Sequence, residues 1–251
     1  MNTKPKALHL IMSATMRRRT ASALAAILVF AAAATTAQAA VTVTQAGGDL
    51  YVVGDAADDY VYVQAYFINQ VDVADFGTYN GVENVSIDMG QGNDSVDIDA
   101  FSSSCSINVS TGNGEDVVDV DTSDCKPYGG EITIETGNAA DVVELEAFGG
   151  NTVQVSTGNG EDYVSSFSRP CADFDNTITI DTGNAEDLVY LDSIGGDFIK
   201  WDDVYITLGR ADDTLQAWTG WCAGTIDGGK GYDSISGKVS GYLEVTNFEE
   251  Q

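Results

Sequence analysis

The chain has one histidine, three prolines and eleven basic residues in 251 positions. His9 and five of the bases, Lys4, Lys6, Arg17, Arg18 and Arg19, fall in the first 39 positions, which hold no acid. Three consecutive arginines, an apolar run from Ala21 to Ala34 and Ala37-Gln38-Ala39 together read as a secretory signal peptide, with cleavage after Ala39. The apolar run is short for a transmembrane span. The expected mature chain carries 39 acids against six bases, a net charge near −33, and no histidine. Its charge opposes binding to nucleic acid and to anionic lipid. The lack of histidine excludes a histidine-dependent triad, a histidine general base and a histidine-ligated zinc site. The expectation is an exported protein, extracellular, on the cell surface or periplasmic, with no membrane insertion after cleavage.

Cysteine is also sparse. Cys105, Cys125, Cys171 and Cys222 are an even set in an exported chain, which reads as two disulfides with three possible connectivities. If the repeats described next stack as coils, Cys105–Cys125 bridges neighbours, whereas Cys171–Cys222 skips a coil and needs a loop to lean over.

What the chain has in abundance is a repeat. Met89-Gly90-Gln91-Gly92-Asn93-Asp94 returns as Thr111-Gly112-Asn113-Gly114-Glu115-Asp116 and Thr136-Gly137-Asn138-Ala139-Ala140-Asp141. Thr157-Gly158-Asn159-Gly160-Glu161-Asp162 and Thr182-Gly183-Asn184-Ala185-Glu186-Asp187 follow. Leu208-Gly209-Arg210-Ala211-Asp212-Asp213 and Gly228-Gly229-Lys230-Gly231-Tyr232-Asp233 close the series. Around each turn apolar residues alternate with polar ones, as in Ile132-Thr133-Ile134-Glu135 and Val143-Glu144-Leu145-Glu146. That period of two specifies strands, and no useful helical periodicity follows residue 39. Strand, Gly-rich turn, strand and variable loop, repeated about every 20–26 residues, predict an all-β parallel β-helix or β-roll solenoid of about seven coils. A single coil cannot bury its apolar face, so stacking must close the core. An antiparallel β-sandwich does not account for the near-constant return of the turn. The predicted organisation is a signal peptide over 1–39, capping strands over 40–84, repeats over 85–240 and a capping strand over 241–251. Gly54-Asp55-Ala56-Ala57-Asp58 reads as a worn copy of the turn.

Stacking places the closing aspartates in a file, about 4.8 Å apart. At an effective dielectric of about 20, each like-charged neighbour pair costs roughly 3 kcal/mol. The file must be neutralised by a cation, splayed into water, or partly protonated. Carboxylates and turn carbonyls are hard oxygen ligands and suit Ca²⁺. The alternative is turn chemistry alone, in which Gly and Asn supply left-handed dihedrals and Asn113, Asn138, Asn159 and Asn184 stack as a side-chain ladder.

Gly228-Gly229-Lys230-Gly231-Tyr232-Asp233-Ser234-Ile235 fits G-G-x-G-x-D-x-U and resembles the hemolysin-type (repeats-in-toxin) calcium-binding repeat, over roughly residues 85–240. That resemblance implies calcium held between coils by the motif aspartates and by turn backbone oxygens. By position these are Gly90, Gly92 and Asp94; Gly112, Gly114 and Asp116; Gly137 and Asp141; and Gly158, Gly160 and Asp162. Gly183 and Asp187, Gly209 and Asp213, and Gly229, Gly231 and Asp233 complete the set. This chain departs from the pattern in using Thr at position one, Ala139, Ala185 and Ala211 at position four, and one motif per coil.

The function expected is a non-enzymatic, calcium-binding exported protein with a structural or surface and matrix role, its partners calcium and surface glycans or matrix polymers. Two rivals are a polysaccharide lyase-like β-helix enzyme and a sugar-binding adhesin module. A lyase needs a base beside calcium-bound carboxylates, and Lys126, Arg169, Lys200, Arg210, Lys230 and Lys238 are scattered over different repeats. An adhesin would use the late aromatics Phe198, Trp201, Trp218 and Trp221, whose plainer role is to cover the edge of the stack.

Overall fold

A computed structural model describes residues 40–66, 69–100, 105–122, 130–169, 175–193, 201–220 and 222–249. Period-two alternation makes strands throughout. The first group is β1 (Thr42–Ala46), β2 (Asp49–Val53), β3 (Tyr60–Tyr66), β4 (Gln70–Val73) and β5 (Gly77–Asn80). The repeats begin with β6 (Asn84–Asp88), β7 (Ser95–Ala100), β8 (Ser106–Ser110), β9 (Val117–Thr122), β10 (Glu131–Glu135) and β11 (Val142–Phe148). They continue as β12 (Thr152–Ser156), β13 (Tyr163–Arg169), β14 (Thr177–Asp181), β15 (Leu188–Ser193) and β16 (Asp202–Thr207). The last are β17 (Thr214–Thr219), β18 (Cys222–Asp227), β19 (Ser234–Lys238) and β20 (Tyr242–Thr246). No helix occurs among the described residues.

These strands form two ten-stranded sheets, and from β6 onward the chain alternates between them. The first runs β1-β2-β6-β8-β10-β12-β14-β16-β18-β20, the second β19-β17-β15-β13-β11-β9-β7-β3-β4-β5. Every pairing from β2–β6 and β3–β7 onward is parallel, which removes the antiparallel sandwich. The antiparallel pairs are β1–β2, β3–β4 and β4–β5, in the segment expected to cap the stack.

Register is set by the buried face, because a slip of one residue would turn every apolar side chain outward. In the first sheet Val85, Ile107, Ile132, Val153, Ile178 and Val204 stack in one column. In the second, Val96, Val118, Val143, Val164, Val189 and Leu215 do the same. These side chains belong to one hydrophobic core. Burying each contributes about 1.5–3 kcal/mol. The alternating acids of the second sheet lie on its outer face: Asp97, Asp119 and Glu144 form one column, with Asp99, Asp121 and Glu146 beside it.

Candidate functional site

Each turn between the sheets spans positions one to six of the repeat. Position two is left-handed in every copy: Gly90, Gly112, Gly137, Gly158, Gly183, Gly209 and Gly229 have φ between +88° and +99°. There the backbones touch, and a Cβ on Gly112 would lie 2.2 Å from the Gly90 carbonyl. Position four also has positive φ. It is +124° at Gly92 and +143° to +156° at Gly114, Gly160 and Gly231, but +90° to +98° at Ala139, Ala185 and Ala211. Position three forms a run of parallel bridges from Gln91 to Lys230. On it stands the expected asparagine ladder: Asn138 Nδ2 donates to Asn113 Oδ1 at 3.0 Å, Asn159 to Asn138 at 3.0 Å, and Asn184 to Asn159 at 3.1 Å.

Position six shares the inward parity of the strand that follows, so its aspartate points into the corner of the core. Asp94, Asp116, Asp141, Asp162, Asp187, Asp213 and Asp233 are at most 3% exposed. Splaying into water is therefore not how the file is relieved. Instead, the backbone N–H of each aspartate donates to Oδ1 of the next one along. Asp94 donates to Asp116 at 2.8 Å, Asp116 to Asp141 at 2.9 Å, and Asp141 to Asp162 at 2.8 Å. Asp162 donates to Asp187 at 2.9 Å, Asp187 to Asp213 at 2.7 Å, and Asp213 to Asp233 at 2.9 Å. The other oxygen, Oδ2, is buried and without a hydrogen-bond partner in all seven.

An eighth rung went unrecognised in the sequence. The worn turn ends at Asp59 rather than Asp58. Asp59 is fully buried, and its N–H donates to Asp94 Oδ1 at 2.8 Å. Its Oδ2 accepts the N–H of Asp55 at 2.7 Å, leaving Oδ1 as the orphan. Asp58 stands at position five and accepts the Asn93 N–H at 2.9 Å, as Asn93 accepts that of Glu115 at 3.0 Å. The available signal was spacing: Gly54 precedes Asp59 by the interval that separates Gly228 from Asp233.

Desolvation sets the electrostatics. Burial raises every carboxyl of the file above its ordinary value of 3.8, with neighbouring carboxylates adding to the rise at Asp94, Asp141, Asp187, Asp213 and Asp233. Position one modulates this. Where it is Met89 or Leu208, Asp94 and Asp213 are pushed up to about 7. Where it is Thr136 or Thr182, the buried hydroxyl beside the carboxyl tempers the rise, and Asp141 and Asp187 reach about 6. On the outer face, partial burial and mutual repulsion push Asp97 up to about 6 and Asp119 to about 7.

Oxygen donors of this kind would suit a hard divalent cation rather than a soft metal. Neighbouring rungs each present one partnerless buried carboxylate oxygen, while the turn carbonyls at positions one, two, three and six already accept N–H groups from neighbouring rungs. Among the described residues no three acidic, histidine or cysteine side chains converge on one point. A cation here would take carboxylates from two neighbouring rungs and complete its shell with turn carbonyls or water.

A second ladder at the other corner was not anticipated. Gly130 N–H donates to Asn151 Oδ1 at 3.2 Å, Asn151 N–H to Asn176 Oδ1 at 3.2 Å, and Asn176 N–H to Asp202 Oδ1 at 3.0 Å. Asp202 Oδ2 accepts from Ser168 Oγ at 2.7 Å and Ser193 Oγ at 3.2 Å. An Asn or Asp directly before an alternating strand was the sequence signal.

Cys222 ends this column, with its thiol 2.9 Å from Ser193 Oγ. Cys105 is buried, its Sγ 3.0 Å from the Val82 carbonyl. Cys125 and Cys171, on which both expected disulfides depend, lie outside the described residues, and no disulfide is formed among those described. The late aromatics pair with different partners. Trp201 stacks on Tyr242 with centroids 4.8 Å apart, and Trp218 tilts against Tyr190 at 5.4 Å. Phe198 and Trp221 lie outside the described residues.

No protein-family model, no curated protein and no solved structure matches the chain.

Proposed function

We propose that this is an exported, acidic β-solenoid of about seven stacked coils whose Gly/Asp turns bind calcium, in the manner of hemolysin-type repeats. Its role on this reading is structural or adhesive at a surface or matrix, without catalysis. The observation that carries the proposal is the inward file from Asp94 to Asp233, in which each carboxylate keeps one buried oxygen without a partner. An isolated buried carboxylate is strongly disfavoured, and a row of them compounds the penalty. Calcium between two rungs would neutralise the charge of both and satisfy both orphaned oxygens.

Such an ion binds only where two rungs are already stacked, so it couples assembly of the fold to calcium. A site filled at 100 times its dissociation constant adds about 2.7 kcal/mol to stability. Export supplies the setting, since calcium is plentiful outside the cytosol and the processed chain carries its acids there unopposed.

Thermal unfolding of the protein in EDTA, and then in millimolar Ca²⁺ or Mg²⁺, tests the proposal. Calcium should raise the midpoint by on the order of 10 °C, magnesium by much less. Replacing Asp116 and Asp162 with Ala should abolish most of that response. An identical midpoint in EDTA and calcium would make the turns purely structural.

A further inference from the structure

The outer face of the second sheet changes character along the stack. Over β7, β9 and β11 its columns are acidic. Over β13, β15 and β17 the same columns turn aromatic. Register sets Glu144 in line with Ser165, Tyr190 and Gln216, and Glu146 in line with Phe167, Asp192 and Trp218. Among the described residues Arg169 is the one base on the outer face of β7 to β17.

The rings are grouped. Tyr190 and Trp218 pack at 5.4 Å with a 38° tilt, and Phe148 meets Phe167 edge-on at 6.1 Å. Trp218 is 38% exposed, while Tyr190, Phe167 and Phe148 are half-buried. Asp192 stands between Phe167 and Trp218 in their column. The face already holds one cation on a ring: the Arg169 guanidinium lies 4.9 Å from the Phe167 centroid. Burial raises the Asp192 carboxyl, and Arg169 only partly offsets that rise. Trp201, stacked on Tyr242 of the first sheet, takes no part.

This is the middle of a sheet, not an edge. β13 pairs with β11 and β15, and β15 with β13 and β17, so an extended peptide gains no strand pairing here. Recognition must come from rings and carboxylates on a flat surface. The broad face of a sugar ring stacks on an exposed indole or phenol. An acidic glycan would be repelled by Glu144, Glu146 and Asp192. A neutral glycan would strip water from those carboxylates and return no charge. A glycan bearing ammonium groups meets both demands, with cation–π contact to the rings and ion pairing to the acids.

We propose that this face binds a linear glycan carrying free amino groups, its rings on Trp218 and Tyr190 and its ammonium groups against Asp192 and the acidic columns. The inference rests on the adhesive role proposed above and names its partner. Lys238 follows Trp218 in the column, so the glycan runs from Trp218 toward β7, away from that ammonium.

Calorimetric titration of protein purified from cells expressing all 251 residues tests it. The probes are a hexamer of β-linked glucosamine, the same hexamer fully N-acetylated, and hexalysine, at about pH 6 and about 0.15 M salt. The glucosamine hexamer should bind with a Kd of about 100 µM or tighter, and the other two about tenfold or more weakly. Trp218→Ala and Asp192→Asn should each weaken binding by about tenfold. Should Trp218→Ala unfold, Asp192→Asn, a near-isosteric change on the outer face, carries the test. Tyr205→Ser, at a tyrosine 42% exposed on the first sheet, should leave binding unchanged. No binding of the glucosamine hexamer, or indifference to Trp218→Ala and Asp192→Asn, would overturn the proposal. Equal binding of the N-acetylated hexamer would remove the amino group from it, and equal binding of hexalysine would make the partner a basic peptide; either overturns it as well. The calcium shift of the unfolding midpoint is a separate readout, so loss of glycan binding with that shift intact sinks this inference alone.

Discussion

The backbone N–H of Asp116 is held by Oδ1 of Asp141 at 2.9 Å, while Oδ2 of that same carboxylate is buried with no partner. One side chain thus has two separable duties. Oδ1 stitches neighbouring turns together, and Oδ2 carries charge that the structure leaves uncompensated. Asp141→Asn keeps an acceptor for Asp116 and removes the charge. Without cation this variant should be as stable as the parent or more so, and it should lose part of the calcium response. Asp141→Ala also removes the acceptor and should cost about 1–3 kcal/mol. Calorimetry of both variants in EDTA and in calcium checks the split, and equal loss from both in EDTA would show that the charge itself holds the turn.

The raised carboxyls dictate an unusual pH response. Burial pushes Asp94 and Asp213 up to about 7 and Asp141 and Asp187 up to about 6, against an ordinary 3.8. Folding therefore takes up protons between about pH 4 and pH 7, and the native chain binds more of them than the unfolded one. The stability these groups confer is complete below the unfolded value and lost as pH rises through the folded values. The melting temperature in EDTA should fall by about 5 °C or more between pH 5 and pH 8. Calcium at pH 8 should restore it. A midpoint that climbs with pH in EDTA would contradict the buried, uncompensated file.

The strands, their parallel pairing and the asparagine ladder were legible because each rests on a local rule repeated many times. Alternation fixes which side chains are buried, and a near-constant turn implies that like sits on like. Burial of the closing aspartates was less visible, since a carboxylate in a Gly-rich turn ordinarily faces water. Only parity with the next strand, Asp94 with Val96 and Ile98, reveals that it points inward. Asp59 was obscured because Asp58 precedes it and either could close the turn. The ladder through Asn151, Asn176 and Asp202 was hidden by variable loops, which break the repeat just before those residues.

Position four of the turn gives a backbone test. Ala185 sits at φ +98°, a conformation that L side chains rarely adopt, so Ala185→Gly should relieve strain and stabilise by about 0.5–1 kcal/mol. Gly160→Ala is not its mirror image. Gly160 sits at φ +149°, and its added Cβ would stand 1.8 Å from the Ala139 carbonyl, so the turn must shift. That substitution should cost about 2 kcal/mol or more. Chemical denaturation of the two variants should give opposite signs.

Asn176 and Asp202 provide the last contrast, because polar neighbours in the core need not matter equally. Asn176 is fully buried and uses both ends of its amide: Oδ1 accepts the Asn151 N–H at 3.2 Å, and Nδ2 donates to Asp202 Oδ1 at 3.1 Å and to the Ala147 carbonyl at 3.3 Å. Asn176→Leu has a similar volume but strands the Asn151 N–H and the Ala147 carbonyl, and should cost about 2–4 kcal/mol. Asp202→Asn preserves the acceptor for the Asn176 N–H and turns an amide toward Ser168 and Ser193, whose hydroxyls can rotate to accept. It also removes a buried charge whose pKa is raised by desolvation, an effect that the serine and asparagine donors only partly offset. By the sign rule that governs the aspartate file, that charge burdens the fold at high pH and not at low pH. Asp202→Asn should therefore match or exceed the parent in stability at pH 8 and lose that advantage near pH 4. Denaturation of both variants at the two pH values reads this directly. A large loss from Asp202→Asn at pH 8 would mean that the ionised carboxylate, rather than the acceptor it supplies, holds this corner together.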